Sequence, residues 1–293
     1  MKGEGLRVDL GTSFACGLLT ASTYGTADFL AKLSTTRIGF LRTALFMQLV
    51  GSILLLPLAV PDFSRLLLNP WMTLGGILLG TINALATIVL YKGFEVGRLS
   101  VVSPIASCAP LISVMLAISF LGETLTQELA LGIAFVIIGI VLVCIQKEQG
   151  DISKQVRRGV VYAILFMVLG GSLMMGVKPV SHVLGVYVLV LLMRWMGIST
   201  IGIAFLAWKP RGEVGLNVFY LIFATAVLDT FGNVSYIIGV NLGTVSVVST
   251  LAGLFSAVTV LLACAILKEK LTIHQLVGFA SIVVGITILG LFG

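Results

Sequence analysis

Apolar runs of about 20 residues recur along the whole chain, and each is long enough to cross a bilayer as one helix. They fall near residues 11–33, 38–60, 71–92, 99–121, 127–146, 159–178, 187–208, 217–240, 244–267 and 273–291. Backbone exposed to lipid must satisfy its own hydrogen bonds, so runs of this length predict helices. The expected fold class is an all-α integral membrane protein with ten transmembrane helices. Only 10% of the residues are charged against 58% apolar, where an average soluble domain carries about a quarter charged. That balance excludes most soluble enzyme classes and any water-soluble nucleic-acid binder. The first run continues to about Leu33 without a cleavage-site pattern, so it is expected to be retained rather than removed as a signal peptide. The net charge of +6 is assigned to topology, because membrane proteins keep Lys and Arg in cytoplasmic loops. Cys16, Cys108, Cys144 and Cys264 stand singly inside apolar runs, which argues against a disulfide framework or a zinc site. They read as small residues at helix contacts.

The most polar segment, Lys147 to Arg158, divides the chain. The expected domains are 1–146 and 159–293, joined by a linker over 147–158. The second half repeats the first at an offset of 146: Ser100-Val101-Val102-Ser103 matches Ser246-Val247-Val248-Ser249. The same offset pairs Gly97 with Gly243, Glu123 with Glu269, Gly132 with Gly278, Gly139 with Gly285, Lys32 with Lys178, Gly25 with Gly171 and Asn83 with Asp229. Arg42 and Arg194 correspond if about six residues are inserted after the sixth span. Each repeat holds five spans, an odd number, so the second copy enters the membrane from the opposite side. Two inverted five-helix repeats are a common transporter architecture, with a substrate site near the midplane between the halves.

With this inverted duplication, Tyr24-Gly25 to Lys32 in the first span and Arg42 opening the second, the chain resembles the drug/metabolite transporter superfamily. The match is to its EamA-like domain, present twice. Gly122-Glu123-Thr124-Leu125 followed by Gly132 and Gly139 recurs as Lys268-Glu269-Lys270-Leu271 with Gly278 and Gly285. The resemblance covers nearly the whole chain and implies a central cavity lined by spans 1, 3, 4, 6, 8 and 9, with spans 5 and 10 distal. It leaves the substrate open, because the family carries amino acids, nucleotide sugars, choline-like compounds and other metabolites. Pro104 and Pro110 of span 4 have no counterparts in span 9.

Asp229 is the first candidate, because an ionised carboxylate near midspan costs several kcal/mol unless it faces water or a partner. It suits proton coupling, or a counter-ion for a cationic part of the substrate. The alternative is a structural hydrogen bond inside the bundle. Asn233 lies one turn on, and Asn83 is the repeat partner of Asp229, so the repeat axis brings them towards one cavity. Both could instead serve as interhelical hydrogen bonds. Asp28 and Lys32, spaced i, i+4, share a face and could pair. Near a span end Lys32 could equally snorkel, and Lys178 has the same ambiguity, with Pro179 marking the end of its helix. Arg42 and Arg194 read mainly as interface anchors. Tyr91 and Tyr236, at the ends of spans 3 and 8, fit the interfacial aromatic belt better than substrate stacking. Pro104 and Pro110 each remove a backbone hydrogen bond in span 4, freeing the carbonyls of Ser100 and Ala106. Ser103 and Ser107 would line that distorted segment, or bond back to their own helix. Gly76 and Gly80 form a GxxxG, and with the paired glycines of spans 5 and 10 they favour close helix packing. Glu123 and Glu269 read as caps or loop anchors, and His274 as a loop residue.

Lys and Arg concentrate on the side of the central linker, at Arg37, Lys92, Arg98, Lys147, Lys154, Arg157, Arg158, Lys209, Arg211, Lys268 and Lys270. That bias places the linker in the cytoplasm and both termini outside. The family resemblance implies the reverse, because many members keep their termini cytoplasmic. The function expected is secondary transport of a small polar or amphipathic metabolite by alternating access, as an exporter or exchanger. Mixed charge around the cavity, Asp28 and Asp229 with Lys32 and Lys178, would suit a zwitterion such as an amino acid. No P-loop is present, so transport would not be driven directly by ATP. A polytopic enzyme acting on a lipid-linked substrate is the alternative, disfavoured because polar residues are few and scattered. No cofactor, no metal and no nucleic acid are expected. The expected partners are the solute and membrane lipid, the state a monomer, and the location the plasma membrane of a prokaryote.

Overall fold

A computed structural model of the chain describes residues 10–97, 102, 105–144, 154–208, 216–267 and 273–292. The first repeat contains α1 (Leu10–Ile38), α2 (Phe40–Ala59), a short α3 (Ser64–Leu68), α4 (Pro70–Val96), α5 (Ala109–Leu121) and α6 (Gln127–Cys144). The second contains α7 (Lys154–Leu184), α8 (Val186–Trp208), α9 (Leu216–Leu242), α10 (Val245–Ala252), α11 (Phe255–Leu267) and α12 (Ile273–Phe292). No strand occurs among the described residues. The fold is an all-α membrane bundle of two inverted five-span repeats. Residues 147–153 of the expected linker lie outside the described residues, and residues 154–158 already belong to α7.

The inverted symmetry is visible in the packing. α1 lies along α9 as α7 lies along α4, while α2 pairs with α8 and α6 with α12 about the pseudo-two-fold axis. A Cβ on Gly25 would press against the Phe255 carbonyl and Val258 Cβ, and one on Gly171 against the Ala109 carbonyl and Ile112 Cβ. Each of those residues is 146 positions from its counterpart. Along the axis, equivalent residues touch each other: Arg194 Nη1 donates to Gln48 Oε1 at 2.8 Å, and Ser281 Oγ donates to the Phe135 carbonyl at 2.7 Å.

The register also holds through the second span of each repeat, which corrects the expected insertion. α1 turns into α2 at Gly39 (φ 85°) and α7 into α8 at Gly185 (φ 86°), again 146 apart. Both sit in the left-handed region that glycine enters without Cβ strain. Arg194 is therefore the repeat partner of Gln48, not of Arg42. A second correction concerns Pro179, which does not end its helix: α7 runs through it to Leu184. Spans 4 and 9 are both interrupted, at Ser107-Cys108 and at Gly253-Leu254, again at equivalent positions. The break thus does not depend on proline in span 9. Pro110, at the start of α5, packs against Gly253, whose Cβ would sit 2.7 Å from the proline Cγ. Pro104 and Ser103 lie outside the described residues.

α1 carries many hydroxyls for a membrane helix, yet it is central. Thr20 and Ser34 are fully buried, and each donates to the carbonyl four residues back, at 2.8 Å and 3.1 Å. The hydroxyls are satisfied inside the bundle without breaking the helix.

Candidate functional site

A cavity of about 120 Å³ lies between the repeats. Its walls come from α1, α2, α4, α5, α7, α8, α9 and α11, and neither α6 nor α12 contributes. Spans 5 and 10 are thus distal, as the resemblance implies, while Met47 and Met193 bring in spans 2 and 7 as well.

The lining is symmetric in position and asymmetric in chemistry. Met47 and Met193, Ala109 and Phe255, and Asn83 and Asp229 are repeat equivalents, and all line the cavity. Asp28, however, has Met174 as its counterpart, and Tyr24 has Gly170. The adjacent helices α1 and α9 therefore form a polar wall of Tyr24, Asp28, Asp229 and Asn233. α7 supplies an apolar wall of Phe166, Leu173, Met174 and Val177.

Asp229 is the centre of a buried network. Arg194 Nη2 donates to Asp229 Oδ2 at 2.5 Å and to Thr230 Oγ1 at 3.0 Å, and the Asn233 amide donates to Asp229 Oδ2 at 3.1 Å. The arginine side chain is 2% exposed and the aspartate 22%, so the guanidinium lies behind the carboxylate while the carboxylate borders the cavity. Arg194 is absent from the lining. Its favoured reading as an interface anchor is corrected here, since it is the resident counter-ion of Asp229. The unbroken offset of 146 was the available signal, because it sets Arg194 at midspan against Gln48.

The sequence-predicted residues divide into two groups. Asp28, Asn83, Tyr91, Asp229, Asn233 and Tyr236 meet in the cavity. Lys32 and Lys178 do not line it. The Lys32 ammonium donates to the Phe94 carbonyl (2.5 Å) and that of Lys178 to the Gly243 carbonyl (2.7 Å). Both carbonyls lie at helix C-termini, where cations are favourably placed. Asp28 thus forms no pair with Lys32, and no cation lies within ion-pair distance of it among the described residues. Ser107 lies at the break in span 4, fully enclosed and off the cavity wall. Tyr91 and Tyr236 are 3% and 4% exposed, which overturns the interfacial-belt reading. Tyr91 Oη donates to Met47 Sδ at 3.0 Å, and Tyr236 Oη donates to the Met174 carbonyl at 2.8 Å. The sequence alone does not mark Tyr24, Phe166 and Phe255 as site residues. The spacing of Tyr24 four residues before Asp28 on one helix face was the signal for the first.

At the end of the bundle that carries Lys178, Glu123 bridges the repeats. It accepts from the backbone N–H of Val245 (2.7 Å) and Ser246 (3.0 Å) and from Ser246 Oγ (2.6 Å). Lys178 Nζ lies 3.8 Å from its Oε1. The glutamate reading as a cap therefore holds for Glu123, and the helix it caps, α10, belongs to the other repeat. Among the described residues no group of three His, Cys, Asp or Glu side chains could hold a metal.

Comparison with known proteins follows the same division of the chain. The model of the EamA-like transporter family matches twice, over residues 12–145 and 157–291. A curated relative named "Uncharacterized protein MJ1333.1", from Methanocaldococcus jannaschii, is 31% identical over 134 residues. The match takes in 46% of this chain and 97% of that protein, which is therefore about one repeat long. A solved structure titled "Crystal structure of protein" superposes with a TM-score of 0.78, covering 95% of this chain and 96% of its own at 15% identity. That likeness concerns the fold.

Proposed function

Because the chain belongs to the EamA-like transporter family, a family of membrane transporters of the drug/metabolite type, we propose that it moves a small amphipathic metabolite across the membrane by alternating access. The observation that carries this reading is the cavity itself. It lies between two inverted repeats, draws equivalent residues from both, and sets a polar wall opposite an apolar one. Rocking one repeat against the other would expose such a site to each side in turn. The repeats are fused, so one chain encloses the cavity and the reading needs no second copy.

Export or exchange is the expected direction, driven by a solute or ion gradient. Asp28 and Asp229 are the carboxyls on the cavity wall among the described residues, and proton coupling would run through this pair. Asp229 would work against Arg194 and Asp28 without a resident cation.

The test is counterflow in proteoliposomes. A metabolite library is first screened for thermal stabilisation, since a ligand that binds only the folded state raises its apparent stability by mass action. Each hit is then loaded inside the vesicles, and uptake of its labelled form is followed. Accelerated uptake in loaded vesicles supports transport. Stabilisation without counterflow for every hit would overturn it.

A further inference from the structure

The charge balance of the cavity is more specific than its shape. Among the described residues two carboxyls line it and no lysine, arginine or histidine does. One of the two, Asp229, is matched by Arg194 from behind. The cations expected to balance the other have been taken elsewhere, because Lys32 and Lys178 sit on the helix-end carbonyls of Phe94 and Gly243. Asp28 is left as a carboxyl at a membrane-embedded cavity with no cation beside it among the described residues.

We infer that Asp28 is the specificity-determining residue of this cavity, and that the solute is an organic cation: a protonated amine or quaternary ammonium on a compact apolar body. This rests on the transport reading and narrows it. Isolated charge in such a site is costly until a counter-charge arrives. A cationic solute supplies that counter-charge, whereas an anion finds no cation among the described lining residues to pair with. The aromatic rings point the same way. Tyr24, one turn from Asp28, together with Tyr91, Phe166 and Phe255, lines the same space, and ring faces attract cations within about 6 Å. The apolar wall of α7 then takes the body of the solute. The Asn83 side chain also lines the cavity and has no hydrogen-bond partner among the described residues, so it remains open to a polar substituent. The volume admits a body the size of one small ring with a short arm. A zwitterion fits less well than the mixed-charge reading of the sequence suggested, since no cation on the wall meets its carboxylate.

The experiment uses four probes of nearly one shape: phenethylamine, the neutral phenethyl alcohol, the anionic phenylpropionate, and the zwitterion phenylalanine. Binding to the purified full chain is measured by isothermal titration, and counterflow is measured separately in proteoliposomes. The expected result is binding of the amine at least tenfold tighter than the alcohol and the anion, with counterflow in the same order. In Asp28→Asn the amine should lose that tenfold advantage over the alcohol, while Asp28→Glu, which keeps the charge, should retain most of it. Equal binding of amine and alcohol, stronger binding of the anion or zwitterion, no amine binding at millimolar concentration, or an undiminished amine preference in folded Asp28→Asn would each overturn the assignment. The wild-type probe series decides the matter even where a variant fails to fold. The two readings fail differently: counterflow of phenylalanine or phenylpropionate without amine preference removes the cation and keeps transport. Tight amine binding without counterflow does the opposite.

Discussion

Removing Arg194 from behind Asp229 should cost more than any substitution on the lipid face. The guanidinium makes hydrogen bonds to Gln48, Asp229 and Thr230, and 2% of its side chain is exposed. Deleting one partner of a buried ion pair leaves the other uncompensated, which costs about 3–5 kcal/mol. The two single deletions should not be equal. Asp229 borders the cavity at 22% exposure and can draw water, so Arg194→Met belongs near the lower end, about 3 kcal/mol. Asp229→Leu strands a guanidinium that has no such access, so it belongs at the upper end, about 4–5 kcal/mol. In the double variant neither charge remains. Its cost should fall below the sum of the singles by about 2–4 kcal/mol, because each single includes the penalty of an orphaned charge. The assay is the free energy of unfolding in sodium dodecyl sulfate, followed by circular dichroism, for the four members of the cycle. Additivity within about 0.5 kcal/mol, or Asp229→Leu milder than Arg194→Met, would refute the burial argument.

Three further outcomes follow from particular contacts. Gly25→Ala and Gly171→Ala meet equivalent obstacles in the two repeats, the carbonyls of Phe255 and Ala109, so each should destabilise by a similar amount, about 1–3 kcal/mol. A large difference between the two unfolding energies would break the claimed equivalence. Glu123→Ala removes three hydrogen bonds that tie the first repeat to the start of α10. A cysteine placed at fully buried Val240, in a chain lacking its native cysteines, should then react faster with a water-soluble maleimide. Unchanged labelling of the folded variant would mean that Glu123 does not hold that end closed. If loop charge sets the orientation, both termini lie outside and an alkaline phosphatase fusion after Gly293 should be active; activity of only a cytoplasmic reporter there would favour the reverse orientation, which the family resemblance implies.

The bundle was legible because membrane solvent leaves few solutions: long apolar runs force helices, and an odd count per repeat forces inversion. The site was legible only in part, and the errors share one cause. Ending each span where its apolar run thins out makes Lys32, Tyr91, Lys178 and Tyr236 look terminal, where snorkelling or an aromatic belt is the natural reading. The helices instead continue to Ile38, Val96, Leu184 and Leu242. A helix surrounded by other helices need not stop where the apolar pattern stops, since its polar groups find partners in the bundle rather than in lipid. Lys178 finds Gly243, and Tyr236 finds Met174. Arg194 was misassigned for a related reason. Matching it to Arg42 required an inserted segment, whereas Gly39 and Gly185 keep the register unbroken through both turns. Chemical likeness suggested one partner, and backbone geometry fixes another. The consequence reaches function. The charge behind Asp229 comes from a residue with no charged repeat counterpart, and Asp28 likewise stands opposite a methionine. Symmetry builds the cavity in this chain, and departures from symmetry give the cavity its charge.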